Sequence, residues 1–299
     1  MLKEPSNPPY TGRFAPTPSG PLHLGSLLTA VASWLDARAG NGRWLLRIDD
    51  LDTPRVDPDA ESEILATLTA HGLYWDGPVA RQSDHVAHYH AALAKLAERC
   101  FACRCTRREL RGTDRYPGTC RTLSLPWEGN AIRIRSEGRV EFVDRVQRAC
   151  SPGESTASHR HWGALDDFVV QRRDGFASYH LAVVVDDQAM GVDHVVRGAD
   201  LIDDTPRQLF LIDALGDARP SYAHVPVIVE DSGVKLSKHN QATAINRRFA
   251  RRNVGAALTL LGFDPPDENI ATILEWAIDH WDIARIPPSP VVQGFTAIS

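Results

Sequence analysis

The sequence predicts an α/β protein with a parallel sheet, interrupted by a cysteine-bearing insertion and closed by a short helical C-terminal part. Three observations carry this. Residues 1–99 alternate strand-like and helix-like patterns in the order β-α-β-α-α, and parallel strands need crossovers, usually helices. From Cys100 the text turns to turn residues and clustered cysteines. From about Asn253 it is helical.

Taken in order, Arg13–Pro16 reads as a short buried strand ending in a Pro-rich turn. Gly25–Ala39 reads as a helix, with Leu27, Leu28, Val31, Trp34 and Leu35 on one face and Gly40 at the stop. Arg43–Asp50 is a strand that delivers two carboxylates at its C-terminal end. Pro58–His71 and Ser83–Arg99 look helical. In the insertion, "AIRIR" and "VEFV" are strand candidates. "DFVVQRRDG" reads as strand and turn, whereas "SYHLAVVVDDQAMG" is an apolar run of ambiguous type. "VDHVVRGADL" is a strand entering a turn, and Thr205–Leu215 is a helix with Pro206 in its first turn. "HVPVIVED" reads as one strand and "SGVKLSKHN" as a loop; "VGAALTLLGF" and "NIATILEWAIDHW" are helices.

At 299 residues, 43% hydrophobic and 24% charged, the chain has ample material for a core. No apolar stretch could span a bilayer, and "MLKEPSNPPYTGR" lacks the apolar centre of a signal peptide, so a cytoplasmic location is expected. A net charge of -5 and a pI of about 6.2 do not advertise a nucleic-acid binder. Basic residues nevertheless cluster at Arg104, Arg107, Arg108, Arg111 and Arg115, and again at Arg247, Arg248, Arg251 and Arg252. Each cluster alone reads as a solvated face, although arginine suits phosphate recognition. Of five cysteines, Cys100, Cys103, Cys105 and Cys120 lie close together and Cys150 lies apart. An odd count without an export signal argues against a disulfide framework and favours metal.

Ligands of parallel α/β sheets bind at the C-terminal ends of strands where strand order reverses. Two such ends are chemically loaded, "APTPSGPLHLGS" and "RIDDLD". A helix starting near Gly25 offers backbone N–H groups and a positive dipole end to phosphate. Gly25 lets a base or phosphate approach, and His23 can donate a ring N–H to phosphate oxygen. Further on, Lys235 and Lys238 bracket a serine in "KLSK" and can neutralise triphosphate charge.

"PSGPLHLGS" followed by "KLSK" resembles the two signatures of class I aminoacyl-tRNA synthetases. "GRFAPTPSGPLHLGSL", "RWLLRIDDLDTPR", "GLYWDG", "VVRGADL" and "KLSK" resemble, more closely, the glutamyl group of that class, from about Gly12 to His239. The resemblance implies a Rossmann-like catalytic domain over 1–99 and 164–240, a zinc-binding insertion over 100–163 and a short helical region over 241–299. Little chain follows Lys238, too little for the helical anticodon-reading domain of full-length members. That brevity and the cysteines resemble the glutamyl-queuosine branch, which activates L-glutamate with ATP without tRNA. It then esterifies the glutamate onto the cyclopentenediol of queuosine at the wobble position of tRNA(Asp). ATP, L-glutamate and queuosine-containing tRNA(Asp) are thus the expected partners of an expected monomer. A shortened conventional enzyme charging a tRNA 3′ end is the alternative. An inactive RNA-binding relative fits poorly with His23, Gly25 and Lys238 all present. A small-molecule nucleotidyltransferase fits poorly with "RIDDLDTPR" and "VVRGADL".

Site roles follow from the resemblance. Arg13 and Arg197 face the substrate carboxylates, where planar guanidinium grips both oxygens and two arginines disfavour glutamine. Asp49 meets the ammonium, in place of the glutamate usual there. Tyr179 touches the substrate, and Phe14, Ala15, Pro16, Thr17 and Ser19 line the strand end. His23 and Lys238 are the catalytic candidates; with Gly25 and Lys235 they bind ATP, accompanied by Mg²⁺. Ser26 replaces the second histidine of the first signature. Cys103, Cys105, Tyr116 and Cys120 match the structural zinc site of some glutamyl-type synthetases, one ion per chain. Cys100 is the substitute should Tyr116 not ligate, and Cys150 reads as an ordinary thiol.

Overall fold

The computed structural model describes residues 10–52, 54, 56–113, 115–149, 158–229 and 244–293. Strand β1 (Thr11–Phe14) pairs in parallel with β2 (Arg43–Ile48), Thr11 opposite Arg43 and Phe14 opposite Leu46. Helix α1 (Leu24–Ala39) makes the crossover between them. After α2 (Ala60–Ala70), the short β3 (Ala80–Arg81) joins the free side of β2, again in parallel, and α3 (Val86–Lys95) follows.

The insertion then forms antiparallel structure. Strands β4 (Cys100–Cys103) and β5 (Ala131–Ile134) are paired; β6 (Arg139–Val143) and β7 (Arg160–Ala164) make a separate two-stranded ribbon; β8 (Phe168–Gln171) returns to the free edge of β5. Beyond α4 (Tyr179–Ala189), β9 (His194–Gly198), α5 (Thr205–Leu215) and β10 (Ser221–Val225) complete a second parallel pair. Strand β9 lies against β1. The Asp193 N–H donates to the Thr11 carbonyl at 3.1 Å, the Thr11 N–H donates to Asp193 Oδ1 at 2.8 Å, and further along Arg13 Nη1 reaches the Val196 carbonyl at 3.4 Å. The spatial order is therefore β3-β2-β1-β9-β10, all parallel, and it reverses between β1 and β9.

The physical reasons are local and then collective. In β2, Trp44, Leu46 and Ile48 enter the main core while Leu45 enters a second one, so the strand is covered on both faces as a central parallel strand must be. Helix α1 is capped by His23 and buries Leu27, Leu28, Val31 and Leu35 completely. The ambiguous run "SYHLAVVVDDQAMG" forms α4, because Ser178 caps it through Leu181 N–H and the second core takes Leu181, Ala182 and Val184. "HVPVIVED" is not one strand. Pro226 has no N–H to donate, so the ladder of β10 stops at Val225, and β11 (Val227–Val229) pairs instead with β12 (Val291–Gln293). Helices α6 (Ala250–Leu260) and α7 (Ile270–Asp279) pack on the α1 side of the main core.

One buried carboxylate ties distant pieces together. Asp36, in α1, accepts from Tyr10 Oη at 2.6 Å, from both terminal nitrogens of Arg145 at 2.6 and 3.0 Å, and from Trp281 Nε1 at 3.0 Å. Replacing it takes the acceptor from four donors of three residues at once. Asp36→Ala should lower the unfolding free energy by about 2–3 kcal/mol, since Tyr10 and Trp281 lose their acceptor while the half-buried Arg145 can turn to water, as read by urea denaturation.

Candidate active site

The C-terminal ends of β1, β2 and β9 converge where the strand order reverses. The turn after β1 is bound down over the end of β2: Asp49 N–H donates to the Pro16 carbonyl at 3.0 Å, and Ser19 N–H to the Thr17 carbonyl at 2.9 Å. Asp49, Thr17, Ser19 and Tyr179 border a cavity of about 1140 Å³ that extends to Cys103 and Cys105. The side chains of Phe14 and Pro16 are buried, Phe14 stacking on Trp44 at 6.2 Å, so these two can offer the cavity only backbone groups.

Beneath the cavity floor lies a ladder of buried charge. Arg13 donates through Nε to both oxygens of Asp187 at 3.2 Å. Arg47, fully buried, donates to Asp187 Oδ1 at 2.6 Å and through Nε to Asp49 Oδ1 at 2.7 Å. Asp186, beside Asp187 on α4, takes Gln82 Nε2 at 2.8 Å, His85 Nδ1 at 2.7 Å and the Tyr89 hydroxyl at 2.8 Å. Burial raises the Asp49 carboxyl above the usual carboxylate range, against the pull of Arg47. Burial pushes Asp187 the same way, but Arg13 and Arg47 outweigh it and hold Asp187 low. Arg47, Asp186 and Asp187 were not singled out from the sequence. The one available signal was an arginine inside the apolar run "RWLLRI".

Arg197, at the end of β9, differs from Arg13. It is 4% exposed, and its partners are neutral: Nε donates to His224 Nε2 at 3.0 Å, Nη1 to Gln208 Oε1 at 2.7 Å, and Nη2 to Thr205 Oγ1 at 2.9 Å and the Leu201 carbonyl at 3.3 Å. Its guanidinium also lies 5.1 Å from the Tyr222 ring centre. Among the described residues no carboxylate lies within ion-pair distance of it. A buried cation without an anion is costly, and an anionic ligand relieves that cost. Tyr179 starts α4, is 42% exposed and borders the cavity.

His23 is the N-cap of α1. Its Nδ1 accepts the Ser26 N–H at 3.2 Å, which puts the proton of a neutral ring on Nε2, 3.1 Å from the Ser26 hydroxyl. Ser26, in the place of the motif's second histidine, thus engages both ring nitrogens. Gly25 sits in the first turn, partly open. Ala244 forms a β-bridge with His23, and Ile245 N–H donates to the Leu22 carbonyl at 3.0 Å. Lys235 and Lys238 lie outside the described residues, as does Cys150.

Cys103, Cys105 and Cys120 come together, with ligand atoms within 4.8 Å of one another. The Tyr116 hydroxyl is 3.4 Å from Cys103 Sγ and accepts the Cys120 N–H at 2.9 Å. Cys100, three residues before Cys103 in the same strand, faces the opposite side and packs in the second core, away from the other thiols. Three thiols with a phenolic oxygen are a donor set that fits a tetrahedral soft cation.

Loaded strand ends at the switch point of a parallel sheet are the nucleotide-binding arrangement of doubly wound α/β folds. The family model for the catalytic domain of class I tRNA synthetases (E and Q) matches residues 10–119 and 127–273, and the chain belongs to that family. Within it, the chain is 48% identical over 287 residues to the Glutamyl-Q tRNA(Asp) synthetase of Pseudomonas aeruginosa (strain LESB58), covering 93% of this chain and 95% of that one. It is 47% identical to the enzyme of the same name from Chromobacterium violaceum, over 96% and 98% of the two chains. The glutamate-tRNA synthetase structure from Elizabethkingia anophelis shares the fold, with a TM-score of 0.78 at 24% identity, over 97% of this chain and 68% of that one.

The buried histidines predict a pH response. Burial lowers both His224 and His180 to about 4; the Arg197 charge adds to this at both, and the Arg207 charge at His180. The folded state thus favours the neutral rings. The stability they contribute is full above about pH 6.5 and is lost as pH falls toward about 4, on the order of 3 kcal/mol for His224. Urea denaturation from neutral pH downward should show this decline, and it should shrink in His180→Gln/His224→Gln.

Proposed function

We propose that the chain activates L-glutamate with ATP, without needing tRNA, and transfers it to queuosine at the wobble position of tRNA(Asp). The observation that carries this is the 46–48% identity to enzymes named Glutamyl-Q tRNA(Asp) synthetase, extending over 91–98% of their lengths. The site supports it. In this reading Arg13 and Arg197 address the two carboxylates of glutamate and Asp49 its ammonium. Tyr179 packs on the substrate, and Phe14, Ala15, Pro16, Thr17 and Ser19 form the strand-end lining.

The glutamate α-carboxylate attacks the α-phosphorus of ATP, and pyrophosphate leaves. No side chain serves as nucleophile; the protein contributes positioning and stabilisation of phosphate charge. His23, with its donor on Nε2, and Lys238 do this work, Lys235 assists, and Gly25 leaves room for the nucleotide with its Mg²⁺. A hydroxyl of the queuosine cyclopentenediol then attacks the adenylate carbonyl, and AMP departs. Cys103, Cys105, Cys120 and Tyr116 hold one structural zinc that pins the segment between β4 and β5 within the insertion. The enzyme works in the cytoplasm as a monomer.

ATP–pyrophosphate exchange should proceed with glutamate and no tRNA, and labelled glutamate should move to queuosine-containing tRNA(Asp) but not to tRNA(Asp) lacking queuosine. Transfer to tRNA(Glu) would overturn the reading. His23→Ala should reduce exchange by at least about a hundredfold and, through loss of the cap, lower stability by about 1 kcal/mol. Elemental analysis of purified protein should give close to one zinc per chain. Tyr116→Phe should weaken retention against a chelator, whereas Cys100→Ala should leave it intact.

A further inference from the structure

Arg197 is held from behind by a buried relay. Its Nε can only donate, and it donates to His224 Nε2 at 3.0 Å. That nitrogen must therefore carry a lone pair, and the ring proton sits on Nδ1. Opposite Nδ1, at 2.5 Å, is Asp144 Oδ2. The other oxygen of Asp144 is fixed by backbone donors, Gln147 N–H at 2.7 Å, Val146 N–H at 3.0 Å and His224 N–H at 3.2 Å. Both His224 and Asp144 have no solvent-exposed surface. The histidine does not border the cavity; besides Arg197, its Nε2 lies 3.3 Å from the Thr205 hydroxyl, itself a partner of Arg197, and its ring stacks on Tyr222.

We infer that Asp144 and His224 are positioning residues: the carboxylate sets the histidine tautomer, and the tautomer sets the orientation of Arg197. This rests on the reading that Arg197 grips a glutamate carboxylate. The physical logic is that of an acceptor that must stay an acceptor. Were the proton to move to Nε2, two donors would face each other across 3.0 Å. Arg197 would then turn away from β10, and its fork would no longer point where the substrate carboxylate has to lie. A carboxylate is the group that prevents this, because it accepts only. The relay also explains why the segment carrying Asp144, at the end of β6, is drawn out of the insertion to bridge with Tyr222 of β10.

Asp144→Asn tests the inference. The backbone donors hold the amide oxygen where Oδ1 was, so the amide nitrogen falls opposite His224 Nδ1. As a donor, it forces the ring proton to Nε2. The expected result is a rise of about 10- to 100-fold in KM for glutamate in ATP–pyrophosphate exchange, with KM for ATP little changed and the thermal unfolding still cooperative. The ¹⁵N shifts of His224 should report the exchanged tautomer. If Asp144→Asn does not fold, His224→Leu and His224→Gln take its place. Leucine removes the acceptor and should raise KM for glutamate, while glutamine, whose amide oxygen can accept from Arg197, should recover most of the loss. A glutamate KM within twofold of wild type in Asp144→Asn, or equal losses in the two His224 variants, would overturn the relay. Arg197→Lys separates the two levels. If it leaves KM for glutamate unchanged, the underlying reading of Arg197 fails; if it raises KM while Asp144→Asn does not, only the relay fails.

Discussion

The molecule is organised around the compensation of arginines in its interior. Arg13, Arg47 and Arg197 project from β1, β2 and β9 into a region that water does not reach, and each must be satisfied before the sheet can close. Adjacent acids on α4 do this for the first two. Asp187 accepts from Arg13 and Arg47 together, which locks α4 across β1 and β2 and fixes the depth at which Asp49 emerges. Arg197 is treated differently, with hydrogen-bond acceptors but no neutralising anion among the described residues. Arg13 meets Asp187 through Nε and the Val196 carbonyl through Nη1, whereas the partners of Arg197 are neutral side chains and a carbonyl.

Two positions depart from the residues usual in the family, and each is held by a specific partner. Asp49 is one methylene shorter than the usual glutamate, yet it is held at 2.7 Å by Arg47 Nε, so its direction is set by the protein rather than left to solvent. Ser26, in the position of a second histidine, engages both nitrogens of His23 and keeps the donor on Nε2. Two departures from the motif are therefore accommodated by specific hydrogen bonds in their neighbourhood. On the insertion, Arg133 adds to the order of the thiol cluster by donating to Cys103 Sγ at 3.4 Å while lying over the Tyr116 ring at 4.1 Å.

Much of this was legible in the sequence wherever the signal was local. The strand–turn–helix of residues 11–39 and the helix at Thr205–Leu215 follow from periodicity and caps, and the grouping of three cysteines from the family resemblance. What escaped was set by partners far along the chain. Nothing near "SYHLAVVVDDQAMG" says that its two acids point inward, because the reason lies at Arg13 and Arg47. Asp144 sits in an unremarkable stretch, and its partner is 80 residues away. Strands β4, β7 and β12 are short and take their identity from the neighbours they pair with, and Pro226 split a run that hydropathy alone joins.

The carboxylate of Asp36 has a consequence for how the chain is made. Its donors come from Tyr10, Arg145 and Trp281, so its shell joins segments from residue 10 to residue 281. On the ribosome, α1 emerges early and carries a charge destined for burial long before the last of those donors exists. Until Trp281 leaves the exit tunnel, the sheet can assemble but one face of α1 lacks its final cover. The Asp36 shell is therefore completed only after residue 281 has emerged.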